Sequence, residues 1–403
     1  MGARTAFNQQ YPTGKKPREA SLSYCINPHC SNRYNPDSLE VCQTCGTPLL
    51  IQERYILLKP LRELDDYGQS EIFLVNDRGT SKVLKILKEP KRLQLFEPED
   101  PVQMFEREAR TLQKLRHPGI PQVEPDGYFT LLLDKNSHKP ESQLLHCLVM
   151  EYIAGQNLEQ WLADHQPIDS IQAIDWLKQL TEILEQVHQN EVFHRDIKPS
   201  NMMLRPDGQL VLIDFGSTRP MTNTYFAKIG GGGQREITSI VSPGYTPLEQ
   251  VNGKAVPQSD FYALGRSFVY LLTGKHPISF PEDTETGALC WRDAAPQLSS
   301  TLADLLDDLM APFPGQRPLN TQEIWQRLTD SSATATRSTP TALLSQTPTQ
   351  APAPTDPKLP QLRWLIVLNI GLLILQMLTW GIFLRDHYRP TPPVPSFEPS
   401  ISE

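Results

Sequence analysis

The spacing of apolar side chains changes character several times along the chain, and each change predicts a boundary. From Tyr55 to about Val83, short β-branched and leucine-rich pieces such as Ile72-Phe73-Leu74-Val75 alternate with turn residues, including Asn76-Asp77-Arg78-Gly79. Pieces of that kind predict antiparallel hairpins. Beyond Leu158 the period lengthens: Ile174, Leu177, Leu180, Ile183, Leu184 and Val187 fall on one stripe of a helix between Ile171 and His188. A strand-rich part therefore precedes a helix-rich part. Residues 330–361 are dominated by Ser, Thr, Ala and Pro, which bury too little apolar surface to offset the entropy of ordering and predict a flexible linker. Trp364 to Leu384 then runs 21 residues without a charged side chain. As a helix this stretch is about 31 Å long at about 1.5 Å per residue, against a bilayer core of about 30 Å. One transmembrane helix over 362–385 is the expectation, with 386–403 as a short Pro-rich tail. Lys358 and Arg363 before the span balance Arg385 and Arg389 after it, so flanking charge does not orient it.

Composition removes some functions and leaves others. A formal net charge of -8 argues against a protein that holds nucleic acid through its bulk field, so no nucleic-acid partner is expected. Residues 1–24 are polar and predict a flexible N-terminal segment. Its first ten residues contain no apolar run of the signal-peptide kind, which leaves a reducing cytosol as the expected surroundings. Four of the six cysteines, Cys25, Cys30, Cys42 and Cys45, lie together as C-x4-C-x11-C-x2-C, while Cys147 and Cys290 stand alone. Two close pairs can place four thiolates tetrahedrally about Zn²⁺, and Gly46 after Cys45 lets the backbone turn toward sulfur, so residues 25–50 predict a zinc module. A redox-active thiol group is the alternative.

The run His194-Arg195-Asp196-Ile197-Lys198-Pro199-Ser200-Asn201 carries a distinct chemistry. Its spacing is that of a phosphoryl-transfer loop. Such transfer needs a carboxylate to take the hydroxyl proton, which Asp196 offers, a cation to neutralise the moving group, which Lys198 offers, and an oxygen donor for a metal ion, which Asn201 offers. Asp214-Phe215-Gly216 follows the apolar strand Leu210 to Ile213 and brings a second carboxylate toward the same metal.

With these motifs in place, residues 53–329 resemble the eukaryotic-like serine/threonine protein kinases of bacteria, and the cysteine cluster ahead of them resembles the four-cysteine kinases of cyanobacteria. The resemblance implies an α+β, two-lobed kinase domain that uses ATP with Mg²⁺ or Mn²⁺ and takes Ser or Thr hydroxyls of proteins as acceptors. It implies that Lys85 holds the α- and β-phosphates and pairs with Glu108. Met150 becomes the gatekeeper of a hinge in which the backbone of Glu151 and Ile153 meets adenine. Glu249 is expected to pair with Arg317, and Asp260 to anchor the catalytic loop. Lys198 with Ser242 resembles the serine/threonine branch. Thr222, Thr224, Thr238 and Ser239 are candidate phosphorylation sites, which would involve self-association of two copies. Because ATP is cytosolic, the kinase domain is expected on the cytoplasmic side of a single-pass anchor. One departure matters: the phosphate loop between Leu61 and Ser70 keeps Gly68, while Arg62 and Leu64 stand near positions where the family has glycine. A pseudokinase scaffold is therefore the rival reading, and a kinase switched by oxidation of its cysteines is a third.

Overall fold

The computed structural model describes residues 22–64, 69–88, 100–133, 143–220 and 241–336. Strands β1 (Leu22–Tyr24) and β2 (Tyr34–Pro36) pair antiparallel around the cysteine cluster. Strands β3 (Leu50–Ile51), β4 (Tyr55–Pro60), β5 (Ser70–Asp77), β6 (Thr80–Leu87), β7 (Tyr128–Leu133) and β8 (Gln143–Glu151) form one antiparallel sheet in the order β3-β4-β5-β6-β8-β7. The β5–β6 hairpin turns on Arg78 and Gly79, both at positive φ (50° and 95°), the left-handed pair that matches the twist of a two-residue hairpin loop. That tight turn fixes the register, which sets Ile72 opposite Lys85.

Helix α1 (Pro101–Lys114) starts where Asp100 accepts the Val102 amide and Pro101 occupies the first turn, where its missing N–H costs nothing. Its inward face is Phe105, Glu108, Ala109, Thr111 and Leu112, the spacing of one helical stripe. The helix-rich part comprises α2 (Leu158–Asp164), α3 (Ser170–Gln189), α4 (Leu248–Val251), α5 (Pro257–Thr273), α6 (Ser300–Leu309) and α7 (Thr321–Thr336), with the short strands β9 (Gln156–Asn157), β10 (Val192–Phe193), β11 (Met202–Leu204), β12 (Leu210–Leu212) and β13 (Arg219–Pro220) among them. Asp169 caps α3 through the Gln172 amide at 2.8 Å, and α5 ends on Gly274 in the left-handed region. Leu177, Leu180, Leu184, Phe261, Phe268, Leu305 and Leu306 are fully or almost fully buried in one core. Ile174 is only half-buried at its edge.

The structure differs from the sequence expectation at two boundaries. Residues 25–50 are not a separate bead before the kinase domain: Tyr24 and Ile26 share a core with Leu57, Phe73, Val75, Leu84 and Val149 of the large sheet, and β3 is itself an edge strand of that sheet. The physical reason is that β1 is too short to bury its apolar side chains within the cysteine loops alone. At the other end α7 continues to Thr336, past the residue where the linker was expected to begin. Among the described residues no helix is long and apolar enough to cross a membrane. The expected span at 362–385, with its tail and most of the linker, lies outside the described residues, as do residues 1–21.

Candidate active site

Two clusters of charge face each other between the sheet and the helices. The first centres on Lys85, whose ladder position on β6 places it between the buried Leu84 and Ile86. Its ammonium donates to Glu108 Oε1 and Oε2 at 2.7 and 2.8 Å and to Asp214 Oδ1 at 3.0 Å. Glu108 is 2% exposed on its side chain, whereas Asp214 is 41% exposed. Lys85 beside it holds the Asp214 carboxyl far below the usual carboxylate range. Burial by itself would lower Lys85, but Asp214 and Glu108 outweigh it and keep the ammonium charged. Burial pushes Glu108 up despite its lysine partner. Gly216 lies close by: a Cβ there would meet Asp214 Oδ1, Glu108 Oε2 and Lys85 Nζ at 3.3, 3.3 and 3.4 Å, so a side chain would press these three groups aside by a few tenths of an ångström.

The second cluster is the loop after β10. Asp196 Oδ1 accepts the Ser242 hydroxyl at 2.7 Å, and Lys198 Nζ donates to that same hydroxyl at 2.9 Å and to Asp196 Oδ2 at 2.8 Å. Asn201 Nδ2 donates to the Asp196 carbonyl and to Asp196 Oδ2, both at 2.9 Å. With its amide protons spent on Asp196, Asn201 keeps its side-chain oxygen as a donor for a metal ion. The two clusters are strapped together by backbone, since the Ile213 amide donates to the Asn201 carbonyl at 2.8 Å. His194 Nε2 meets the Ile213 carbonyl at 3.2 Å while its Nδ1 accepts the Asp196 amide at 3.3 Å, a pattern that requires the neutral tautomer. Burial lowers the His194 pKa and favours that form.

A protein kinase domain model matches residues 66–328. The chain belongs to the protein kinase domain family. It is 33% identical over 311 residues to serine/threonine-protein kinase F of Synechocystis sp., covering 75% of this chain and 60% of that protein. Serine/threonine-protein kinase C of the same organism is 35% identical over 280 residues, covering 67% and 49%. Serine/threonine-protein kinase PrkC of Bacillus subtilis is 27% identical over 220 residues, covering 54% and 30%. The chain thus spans about half of the length of the Synechocystis relatives it matches.

The remaining kinase landmarks fall at the rim and base of the cleft. Met150, half-buried, stands opposite Val83 on the β6–β8 ladder. The Glu151 amide is held by the Gln122 carbonyl at 2.8 Å, its carboxylate by Arg205 at 2.6 Å, and Ile153 is buried. Asp260 is fully buried and accepts the His194 and Arg195 amides at 2.9 and 2.8 Å and His188 Nε2 at 2.9 Å. Arg195 at φ 71° and Asp214 at φ 64° both adopt the left-handed backbone, which a residue with a side chain keeps only where its surroundings hold it there. Glu249 Oε1 and Arg317 Nη1 are 2.6 Å apart, with the Ser259 hydroxyl on the same carboxylate. Gly68, the other loop residues 65–67 and the four candidate phosphorylation sites lie outside the described residues. Arg62 is described, and its Nη2 donates to the Ser70 carbonyl at 2.8 Å and the Ser70 hydroxyl at 3.2 Å.

The four cysteines form a third cluster, apart from the cleft. Their sulfurs all lie within 4.8 Å of one another, with Cys25 to Cys45 at 3.6 Å and Cys30 to Cys42 at 3.7 Å. A tetrahedral site with Zn–S bonds of about 2.3 Å has S–S edges of about 3.8 Å, so the donor set fits a metal ion. None of the four is joined in a disulfide. Burial pushes Cys25 well up and Cys30 up to about 11. Burial also acts upward on Cys42, but the amides of Cys45 and Thr44 outweigh it and bring that thiol down to about 7. His29 is exposed and is not part of the group. Two features escaped the sequence reading. The Arg62–Ser70 clamp is one, and a buried contact between Arg33 and Glu71 is the other; neither has a motif, because both join residues distant in pattern though close in space.

Proposed function

We propose that this chain is a serine/threonine protein kinase that transfers the γ-phosphate of ATP to Ser or Thr hydroxyls of proteins. The observation that carries the reading is the triangle of Asp196, Lys198 and Ser242, in which one hydroxyl is held by a carboxylate and an ammonium at once. Asp196 is the general base, orienting an acceptor hydroxyl and taking its proton. Lys198 offsets negative charge beside that hydroxyl. Asn201 and Asp214 present an amide oxygen and a carboxylate, hard donors suited to Mg²⁺ or Mn²⁺. Lys85, kept charged and aimed by Glu108, serves the phosphates together with Gly68 of the phosphate loop read from the sequence, and the backbone of Glu151 and Ile153 behind Met150 serves adenine. When bound, metal–ATP supplies the transferable phosphoryl group and the cation that neutralises it. A hollow of about 330 Å³ lined by Glu159, Lys198, Ser242, Tyr245 and His276 adjoins the triangle and suits an acceptor segment. Two further parts of the reading rest on composition and donor chemistry: Cys25, Cys30, Cys42 and Cys45 hold one Zn²⁺, and residues 362–385 anchor the chain in a membrane with the kinase domain on the cytoplasmic side.

The test is phosphate incorporation by the full chain with labelled ATP and Mg²⁺, on itself and on a generic basic protein, compared with Asp196→Asn. Transfer to Ser or Thr that disappears in the variant is the expected outcome. Equal incorporation by both proteins removes Asp196 as the base. Absence of ATP binding and transfer in the parent leaves a scaffold instead.

A further inference from the structure

The cysteine module meets the kinase sheet through a buried ion pair. Arg33 Nη1 and Nη2 donate to Glu71 Oε1 and Oε2 at 3.0 and 2.9 Å, and each side chain is less than a tenth exposed. The same guanidinium donates to the carbonyls of Cys25 at 2.8 Å and Ile26 at 3.3 Å, and lies over the rings of Tyr24 and Phe73 at 4.8 and 5.2 Å. Arg33 is itself gripped by the cysteine loops. Its carbonyl accepts the Cys25 amide at 2.7 Å, and the preceding carbonyl, of Asn32, receives the Cys30 thiol at 3.0 Å. Its position is therefore set by the loops that gather the four sulfurs.

At the other end of the pair, Glu71 is the second residue of β5. It lies opposite Ile86, next to Lys85 on β6. Its neighbour Ser70 is clamped to the end of β4 by Arg62. The ion pair thus lands at the root of the β4–β5 hairpin and one ladder step from the lysine of the cleft. A buried carboxylate stripped of its partner must move, hydrate or take up a proton, and each of these disturbs the strand that carries it.

We propose that Arg33 is a positioning residue for nucleotide binding: through Glu71 it fixes the start of β5, so that affinity for ATP depends on the assembled four-cysteine module. The inference rests on the kinase reading and, for the module, on the zinc reading, and its test separates them. The full chain purified with zinc is compared with Arg33→Met and with the double variant Arg33→Met/Glu71→Met. Three quantities are measured: affinity and KM for ATP against kcat, zinc content by elemental analysis, and hydrogen exchange of the peptide covering residues 61–73. For Arg33→Met the expected result is a KM raised about tenfold, kcat within about twofold, unchanged zinc and faster exchange in that peptide. The double variant strands no charge, so it regains most of the affinity and the slow exchange. Removing zinc from the parent with a chelator reproduces the effect of Arg33→Met.

Native affinity or native exchange in a zinc-loaded Arg33→Met protein overturns the proposal, because the pair then merely packs the module. Loss of zinc from that variant also overturns it, since Arg33 then serves the cysteines and not the hairpin. If the parent binds no ATP, the kinase reading fails while the exchange comparison still decides whether Arg33 holds β5. If the parent holds no zinc, the link to metal falls and the Arg33 comparison still decides the rest.

Discussion

Replacing Asp260 by Asn removes a single charge from beneath the catalytic loop without changing its shape. The carboxylate is fully buried and accepts three hydrogen bonds, from the His194 amide, the Arg195 amide and His188. An Asn side chain has one oxygen, so its NH₂ group must face one of these donors. If the oxygen keeps His194 and His188, the NH₂ opposes the Arg195 N–H. A hydrogen bond to a charged group is worth about 1.5–3 kcal/mol, and leaving a buried donor unsatisfied costs about 1–3 kcal/mol more. The sum predicts a loss of roughly 2.5–6 kcal/mol, which brackets the about 3–5 kcal/mol seen when one partner of a buried pair is removed. Arg195, at φ 71°, loses one of the bonds that hold its backbone there, the other being from Gln250 to its carbonyl, and Asp196 is the next residue, so transfer is expected to fall as well as stability. Burial acts to raise the Asp260 pKa, but its bonds with His188, His194 and Arg195 outweigh that and lower it. The stability it contributes is therefore complete above the ordinary carboxylate value of about 3.9 and is lost as pH falls through the lower folded value. The Asn variant lacks that component and loses less stability on acidification in this window. Urea unfolding of the parent and variant at pH 7 and at several lower pH values measures both effects. A loss below about 1 kcal/mol with unchanged phosphate transfer would refute the reasoning.

Elemental analysis of protein prepared under reductant and without chelator should find one Zn²⁺ per chain, and chelation should lower the unfolding temperature because metal binding by four thiolates is part of the folding free energy. A metal content near zero removes the site. The full chain should sediment with membranes in high salt and carbonate, while a stop codon after Gln361 should release it. Full-length protein in the soluble fraction would defeat the anchor reading, as would a protease-accessible kinase domain on the non-cytoplasmic face.

How legible the site was depended on whether its residues are close in sequence. Asp196, Lys198 and Asn201 lie within one loop, and their mutual geometry follows from a spacing that a reader can see. Lys85 and Glu108 come from distant elements, and their pairing was expected only through the family resemblance; the contact of Lys85 with Asp214 was not among the expectations. The hairpins were legible because Arg78-Gly79 can turn only in a narrow way. Arg33 and Glu71 were illegible: each looks like an ordinary surface charge, and only the folding of β1 against β4, with Tyr24 packed on Phe73, buries them together. For the same reason residues 25–50 looked independent, since cysteine spacing describes ligands and says nothing about where the remaining apolar side chains go.

That shared core means that the family boundary and the folding boundary are different places on this chain. The family match begins at residue 66, but β3 and β4, two of the six sheet strands, lie before it. A fragment cut at the family boundary leaves β5 as a bare edge, with Phe73 and Val75 stripped of Leu57, Tyr24 and Ile26. Long apolar edges of that kind recruit other strands. A minimal fragment that keeps this sheet intact therefore has to begin no later than Leu22, and the cysteine module cannot be moved to another protein without the matching face of the sheet.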